Sequence, residues 1–259
     1  MNMMDPNERV IPEITANYLY QESLSRYNFA LKFIKKDSKI LDAGCGTGYG
    51  SKVLSTSGKV IGIDNSSEAI KYAVKIFGRY ARFQKMSLQD INFRSESFDG
   101  ICFFEVVEHL ENPVQILKKF KNILSKGGRL IISTPNKMYP DRIPESVSPY
   151  HFKEYSYPEF KSLLNKVFGK VEIYGQNKTA KAKTAFNEFL ESQKARQRFV
   201  DSDYFGFRKL IPRGIKELGW NYIGRYFGSK RQNILTQSDY TFDKKKINEC
   251  EYFFAVCSD

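Results

Sequence analysis

Lys39-Ile40-Leu41-Asp42-Ala43-Gly44-Cys45-Gly46-Thr47-Gly48-Tyr49-Gly50 decides the fold. A short apolar run ends in an acid and passes directly into alternating glycines. Such a strand-to-helix turn lets the backbone approach a ligand closely, because glycine carries no Cβ and accepts positive φ. The dinucleotide fingerprint G-x-G-x-x-G would need glycine where Tyr49 stands, and no phosphate-cradling G-x-x-x-x-G-K-[ST] occurs anywhere in the chain.

Working outward, Lys59-Val60-Ile61-Gly62-Ile63-Asp64 reads as a second strand that also ends in an acid. A carboxylate there accepts hydrogen bonds from ribose hydroxyls, so it points to an adenosine cofactor without separating one kind from another. Ser66-Ser67-Glu68 caps a helix predicted over 69–77. Residues 82–86 form a weaker third strand and 98–104 a buried fourth. Asn112-Pro113 opens a helix whose Val114, Leu117, Phe120, Ile123 and Leu124 share one face, with Lys126-Gly127-Gly128 as its expected end. Strands follow at 129–134, 170–174 and 251–257, with a helix over 160–167, whereas residues 1–25 read as a polar lead-in before a helical stretch at 26–34. Strands alternate with helices across 38–175, which predicts an α/β fold, a doubly wound and mostly parallel Rossmann-like sheet.

Hydrophobic residues make up 41% and charged residues 27% of the 259, enough to build a core without staples. The four cysteines, Cys45, Cys102, Cys250 and Cys257, show no metal-finger spacing and read as small buried residues in a reducing compartment. No signal pattern opens the chain and no apolar run approaches the ~20 residues that span a bilayer, so a cytoplasmic location is expected. The net charge is +12, and residues 176–248 hold 16 Lys+Arg against 7 Asp+Glu, a net +9. That excess suits either a solvated helical surface or attraction to an anionic partner. Two units follow: a cofactor-binding domain of residues 1–175 plus 249–259, and an inserted basic lid at 176–248. Aromatics and cations interleave at 205–216 and 220–227, a pattern that fits base stacking, a membrane surface or a lid with its own small core.

Four blocks in order give the first one its meaning. Ile40–Gly50, Val60-Ile61-Gly62-Ile63-Asp64, Ser97-Phe98-Asp99-Gly100-Ile101 and Leu124-Ser125-Lys126-Gly127-Gly128-Arg129-Leu130-Ile131-Ile132 resemble the motifs of class I S-adenosylmethionine-dependent methyltransferases. The resemblance implies a seven-stranded sheet with its last strand antiparallel. It assigns the methionine portion of the cofactor to Asp42 and to the turn Gly44, Cys45, Gly46 and Gly48. The ribose falls to Asp64, the adenine to Asn65, Ser87 and Leu88, and the space beneath the methionine to Glu105. Ser87 departs from the acid that the family often has there.

A second constellation follows the fourth strand. Glu105-Val106-Val107-Glu108-His109 places two carboxylates and an imidazole on one face if the segment turns helically. The only other histidine, His151, follows the fifth strand and should reach the same rim. Glu105, Glu108, His109 and His151 form a candidate ligand set for Mg²⁺, Mn²⁺, Fe²⁺ or Zn²⁺. His109 or His151 could equally serve as a general base without metal, or all four could be structural. The E-x-x-E-H block resembles ubiquinone-pathway O-methyltransferases and small-RNA 2′-O-methyltransferases, in which it goes with a divalent metal. The Ser133-Thr134-Pro135-Asn136 and His151-x-x-Glu154 segments look most like members acting on small molecules or glycans. The expected reaction is therefore O-methylation of a small-molecule or glycan hydroxyl, on an acceptor that is phosphorylated or lipid-linked if the basic lid engages it. RNA 2′-O-methylation, N- or C-methylation and a non-catalytic cofactor-binding role remain alternatives.

Overall fold

The computed structural model describes residues 10–12, 15–139, 151–201, 235–245 and 247–259, with backbone alone for 192–201. Its elements run β1 (Ser38–Ala43), α2 (Tyr49–Leu54), β2 (Gly58–Asp64), α3 (Ser67–Phe77), β3 (Arg82–Lys85), β4 (Phe98–Phe104), α4 (Pro113–Ile123) and β5 (Leu124–Pro135). After these come α5 (Tyr157–Asn165), β6 (Lys170–Lys178), α6 (Ala180–Asp201), β7 (Tyr240–Asp243) and β8 (Tyr252–Ser258). A helix α1 (Asn17–Ala30) precedes them all. The sheet order is β3-β2-β1-β4-β5-β8-β6-β7. The ladders β3-β2, β2-β1, β1-β4 and β4-β5 are parallel, while β8 pairs antiparallel with both β5 and β6. The strand order reverses between β1 and β4, and a crevice at the carboxyl ends of such strands is where open α/β sheets bind ligands.

The α/β, mostly parallel Rossmann-like sheet is as expected, but among the described residues it has eight strands rather than seven. The extra one is β7, whose Tyr240-Thr241-Phe242-Asp243 pairs antiparallel with Lys178 back to Gly175. Four residues beside a cationic stretch give too few alternations to register as a strand. β6 is correspondingly longer than the stretch 170–174 expected from its apolar residues.

Strict alternation along the central strands feeds two cores. Ile101, Phe103, Leu130, Ile132 and Phe253 face α4 and α5, where Leu117, Phe120 and Phe160 meet them. Cys102, Phe104, Ile131 and Phe254 face the other way, toward Tyr27, Phe29 and Ala30 of α1 and Leu54 of α2. Burial on both faces is what makes β4 and β5 near-continuous apolar runs. All four cysteines are free and buried. Among the described residues, no helix is long and apolar enough to cross a membrane.

Three local expectations need correction. Residues 17–25 are not a lead-in but the first turns of α1, in which Tyr18, Glu22, Ser23, Leu24 and Ser25 are buried. Many of its inward residues are polar and hydrogen-bonded, so apolar periodicity does not reveal the helix. The helix α4 stops at Ile123 rather than at the glycines, because Leu124 pairs with Phe98 and the β5 ladder shifts register before Gly100 meets Arg129. Gly127, at φ 75°, turns the chain within that irregularity. The helix after the glycine turn, which the sequence pattern extends from Tyr49 to Ser57, ends at Leu54.

Candidate active site

The glycine turn is braced from within. The amides of Gly44 and Cys45 both donate to the Ile63 carbonyl (2.8 and 2.9 Å), that of Gly48 donates to Cys45 (3.0 Å), and that of Gly46 donates to an Asp64 carboxylate oxygen (3.0 Å). Gly44, Gly46 and Gly48 have φ of 77°, 51° and 84°, a left-handed conformation that side chains rarely adopt. A Cβ on Gly44 would stand 2.5 Å from Cγ2 of Val106, so this glycine also lets the β4 end pack against the turn.

The turn, the end of β4 and helix α6 enclose a cavity of about 820 Å³. That volume suits a cofactor together with a small acceptor. Gly44, Cys45, Gly46, Asp64, Asn65, Ser87 and Leu88 line one side of it. Glu105, Glu108, His109 and His151 line another. Asp42 and Gly48 do not reach the wall. Asp42 is buried beneath the turn, where its two oxygens accept hydrogen bonds from Ser51 Oγ (2.6 Å) and the Tyr27 hydroxyl (3.2 Å). Burial raises its pKa to about 7, against the downward pull of both hydrogen bonds. Asp64 accepts from Gly46 and, through its other oxygen, from the Ser66 amide (2.8 Å). Ser87 caps a short turn, and its Oγ lies 2.5 Å from Gln89 Oε1.

Beyond β4 the chain turns as expected, though through a short 3₁₀ helix at Val107–His109. Glu105 sits at φ 54°, a strained conformation for a non-glycine residue that costs on the order of 1–3 kcal/mol. That twist separates the two glutamates. Glu105 Oε1 accepts from Ser133 Oγ (2.6 Å), whereas Glu108 Oε2 accepts from Thr134 Oγ1 (3.2 Å). Glu108 is 1% exposed, and its Oε1 has no hydrogen-bond partner among the described residues. Burial first, then the neighbouring Glu105, holds the Glu108 carboxyl well above the usual range. Burial also raises Glu105, against the opposing charge of Arg26.

Glu108, His109 and His151 offer ligand atoms that all lie within 4.8 Å of one another. The imidazoles meet edge to face at 4.9 Å between centroids. The four-residue set expected from sequence is therefore a set of three, because Glu105 is turned toward Ser133. An orphaned, buried carboxylate oxygen beside two imidazoles fits a divalent cation in its chemistry.

Several contributors escaped the sequence reading. Arg26 of α1 lines the cavity, is 5% exposed, donates to Gln176 Oε1 (2.7 Å) and lies over the Tyr252 ring at 4.1 Å. Its helix carries no apolar stripe to announce it. Ser133 and Thr134 each hold one glutamate, and Asn136 donates to the Cys250 carbonyl (2.7 Å), locking the end of β5 to the chain before β8. The block Ser133-Thr134-Pro135-Asn136 was the available signal for these. Phe186, Phe189 and Leu190 of α6 face the cavity too, so the basic stretch contributes an apolar wall. The aromatic-cationic segments 205–216 and 220–227 lie outside the described residues.

This architecture, a reversal-point crevice with acids at the ends of β1 and β2, is that of an adenosine-cofactor α/β enzyme. A family model described as a methyltransferase domain matches residues 15–180, well over half the chain. The chain belongs to that family of class I S-adenosylmethionine-dependent methyltransferases. A protein of Mycobacterium tuberculosis named as a probable S-adenosylmethionine-dependent methyltransferase is 30% identical over 164 residues, covering 61% of this chain and 58% of its own length. The mitochondrial ubiquinone biosynthesis O-methyltransferase of Dictyostelium discoideum is 29% identical over 140 residues, covering 47% and 42% respectively. The match thus spans less than two thirds of these curated relatives. A solved S-adenosylmethionine-dependent methyltransferase from Archaeoglobus fulgidus shares the fold, with a TM-score of 0.56, 17% identity and 95% coverage of both chains.

Proposed function

We propose that this enzyme transfers the methyl group of S-adenosylmethionine to a hydroxyl of a small-molecule or glycan acceptor. The observation that carries this reading is the cluster of Glu108, His109 and His151 on the cavity wall, with the unpartnered Glu108 oxygen among them. A hydroxyl is a poor nucleophile until its proton leaves, and this trio is built to receive it. The ubiquinone O-methyltransferase relatives support oxygen as the acceptor atom.

In this reading Asp64 binds the ribose, Asn65, Ser87 and Leu88 surround the adenine, and the Gly44–Gly46 backbone lies against the methionine portion. Asp42 and Gly48 act from beneath, by shaping the turn. Buried Arg26 receives the cofactor carboxylate, and Glu105 receives its amine. The acceptor sits between the trio and the apolar wall of α6. Its oxygen attacks the methyl carbon in line, a carbon–oxygen bond forms as the carbon–sulfur bond breaks, and the sulfonium becomes a neutral thioether. The hydroxyl proton leaves to an imidazole nitrogen of His109 or His151. If a divalent cation were held by Glu108, His109 and His151 instead, the imidazoles would be ligands rather than bases, and the cation would lower the hydroxyl pKa and fix the oxygen in place, the proton leaving to solvent. A phosphorylated or lipid-linked acceptor would suit the charge of the basic stretch 176–248.

The test is incubation with S-adenosylmethionine labelled in its methyl group and a panel of catechols, phenols and sugars. Label recovered in an ether, lost on treatment with EDTA and restored by Mn²⁺, is the expected result. Label on nitrogen or carbon overturns the oxygen assignment, and activity indifferent to EDTA removes the metal. Asp64→Ala should weaken S-adenosylmethionine binding by about 10- to 100-fold in calorimetry, the loss of one or two charge-assisted hydrogen bonds. Unchanged affinity would move the ribose elsewhere.

A further inference from the structure

The geometry assigns Glu154 as the positioning residue of His151: it accepts a hydrogen bond from Nδ1–H and so leaves the Nε2 lone pair to serve with Glu108 and His109. The assignment rests on the proposed role of those three residues for its catalytic meaning, though not for its structural test.

Glu154 Oε1 lies 2.7 Å from His151 Nδ1, and the two side chains are 11% and 13% exposed. An ionised carboxylate only accepts, so a hydrogen bond of this length places the proton on Nδ1. Neutral imidazole has one N–H, and Nε2 is then left as the acceptor or ligand atom. A surface pair three residues apart would contribute little. This pair differs because its backbone is fixed on both sides.

On one side, the amides of Phe152 and Lys153 both donate to the carbonyl of Glu108 (2.8 and 3.0 Å). The segment carrying His151 is therefore strapped to the 3₁₀ turn that carries Glu108 and His109. On the other side, Tyr155 bridges Asn136 and is 3% exposed, and Ser156 with Glu159 forms the capping box that starts α5. Glu154 has little backbone freedom between these anchors. A carboxylate behind a ligating or basic histidine fixes both its tautomer and its ring orientation, which the trio needs if its ligand atoms are to stay within 4.8 Å.

The chain has two histidines, so the prediction is readable directly. In protein with ¹⁵N-labelled imidazoles, long-range ¹H–¹⁵N correlation is measured at about pH 8.5, above the ordinary imidazole pKa of ~6.5. The His109→Asn variant assigns the two signal sets. His151 in the metal-free full chain should be the Nδ1–H tautomer. In Glu154→Ala it should shift to the Nε2–H form that imidazole favours in water, while Glu154→Gln, whose amide oxygen still accepts, should keep Nδ1–H. Mn²⁺ affinity should fall about 10- to 100-fold in Glu154→Ala and largely recover in Glu154→Gln, with S-adenosylhomocysteine affinity unchanged in both. Intact S-adenosylhomocysteine binding shows that the variants fold. A wild-type His151 already in the Nε2–H form, or a Glu154→Ala variant with unaltered tautomer, overturns the assignment. Wild-type protein that takes up no Mn²⁺ removes the metal reading alone, and the tautomers then decide the role of Glu154.

Discussion

Glu108→Gln is expected to make the metal-free protein more stable at pH 8 while ending its uptake of divalent cations. The wild-type carboxyl is 1% exposed, receives one hydrogen bond from Thr134 and leaves Oε1 unpartnered among the described residues. A buried acid in this position must either hold a charge without compensation or hold a proton against neutral solution. Its pKa is raised well above 4.5, by burial and by Glu105, so the cost is absent below about pH 4.5 and grows as the pH rises toward the folded value. Glutamine removes that cost at nearly the same volume, although its amide N–H groups then need partners. The net gain should be about 1–2 kcal/mol, which is roughly 2–8 °C in melting temperature for a chain of this size. Mn²⁺ affinity should fall by more than the ~10- to 100-fold typical of a supporting residue. Thermal melts with and without EDTA, beside Mn²⁺ calorimetry, check both halves. A less stable variant that still binds Mn²⁺ would show that Glu108 is a structural acid.

The second large effect belongs to Asp42. Its folded pKa of about 7 lies above the ordinary carboxyl value of 3.8, so between these limits the folded state holds a proton that the unfolded state has released. Stability therefore falls as the pH rises across that window and levels off above it, by about 1.4 kcal/mol per pH unit and on the order of 4 kcal/mol in all. Asp42→Asn takes up no proton and should lack this slope. The wild type should be the more stable of the two near pH 4, with the difference shrinking or reversing by pH 8. Urea unfolding across pH 4–8 measures it, and parallel curves would show that Asp42 is ionised throughout. Because Asp42 lies beneath the cavity and not in its wall, the variant should bind S-adenosylmethionine nearly as well as wild type if the turn keeps its shape.

How legible the molecule was depends on what each residue packs against. β1 to β5 announce themselves because burial on both faces demands apolar runs, and the glycines announce the turn because only they adopt its φ. Asp64, Glu108, His109 and His151 came from ordinary spacing rules and do line one cavity. What stayed hidden is held by polar contacts between distant parts of the chain. Arg26 means nothing in sequence until Gln176 and Tyr252 surround it. The parting of Glu105 from Glu108 depends on a backbone twist at Glu105 and on the Ser133 hydroxyl, neither of which any periodicity encodes. The strand β7 is too short to alternate visibly and exists because β6 extends far enough to receive it.

The long-range ties of α1 bear on how the chain is made. Arg26 bonds Gln176, the Tyr18 carbonyl accepts from the Tyr240 hydroxyl, and Asn17 accepts from the Leu235 amide, contacts that span 150, 222 and 218 residues of sequence. β8, at residues 252–258, enters between β5 and β6. During synthesis the glycine turn can form early from local strands, but α1 gains its ties to Gln176, Leu235 and Tyr240 only after those residues are made. Assembly of the cavity is thus a late, high-contact-order event. A nascent chain stalled before residue 235 should leave α1 more open to proteases than the finished chain does.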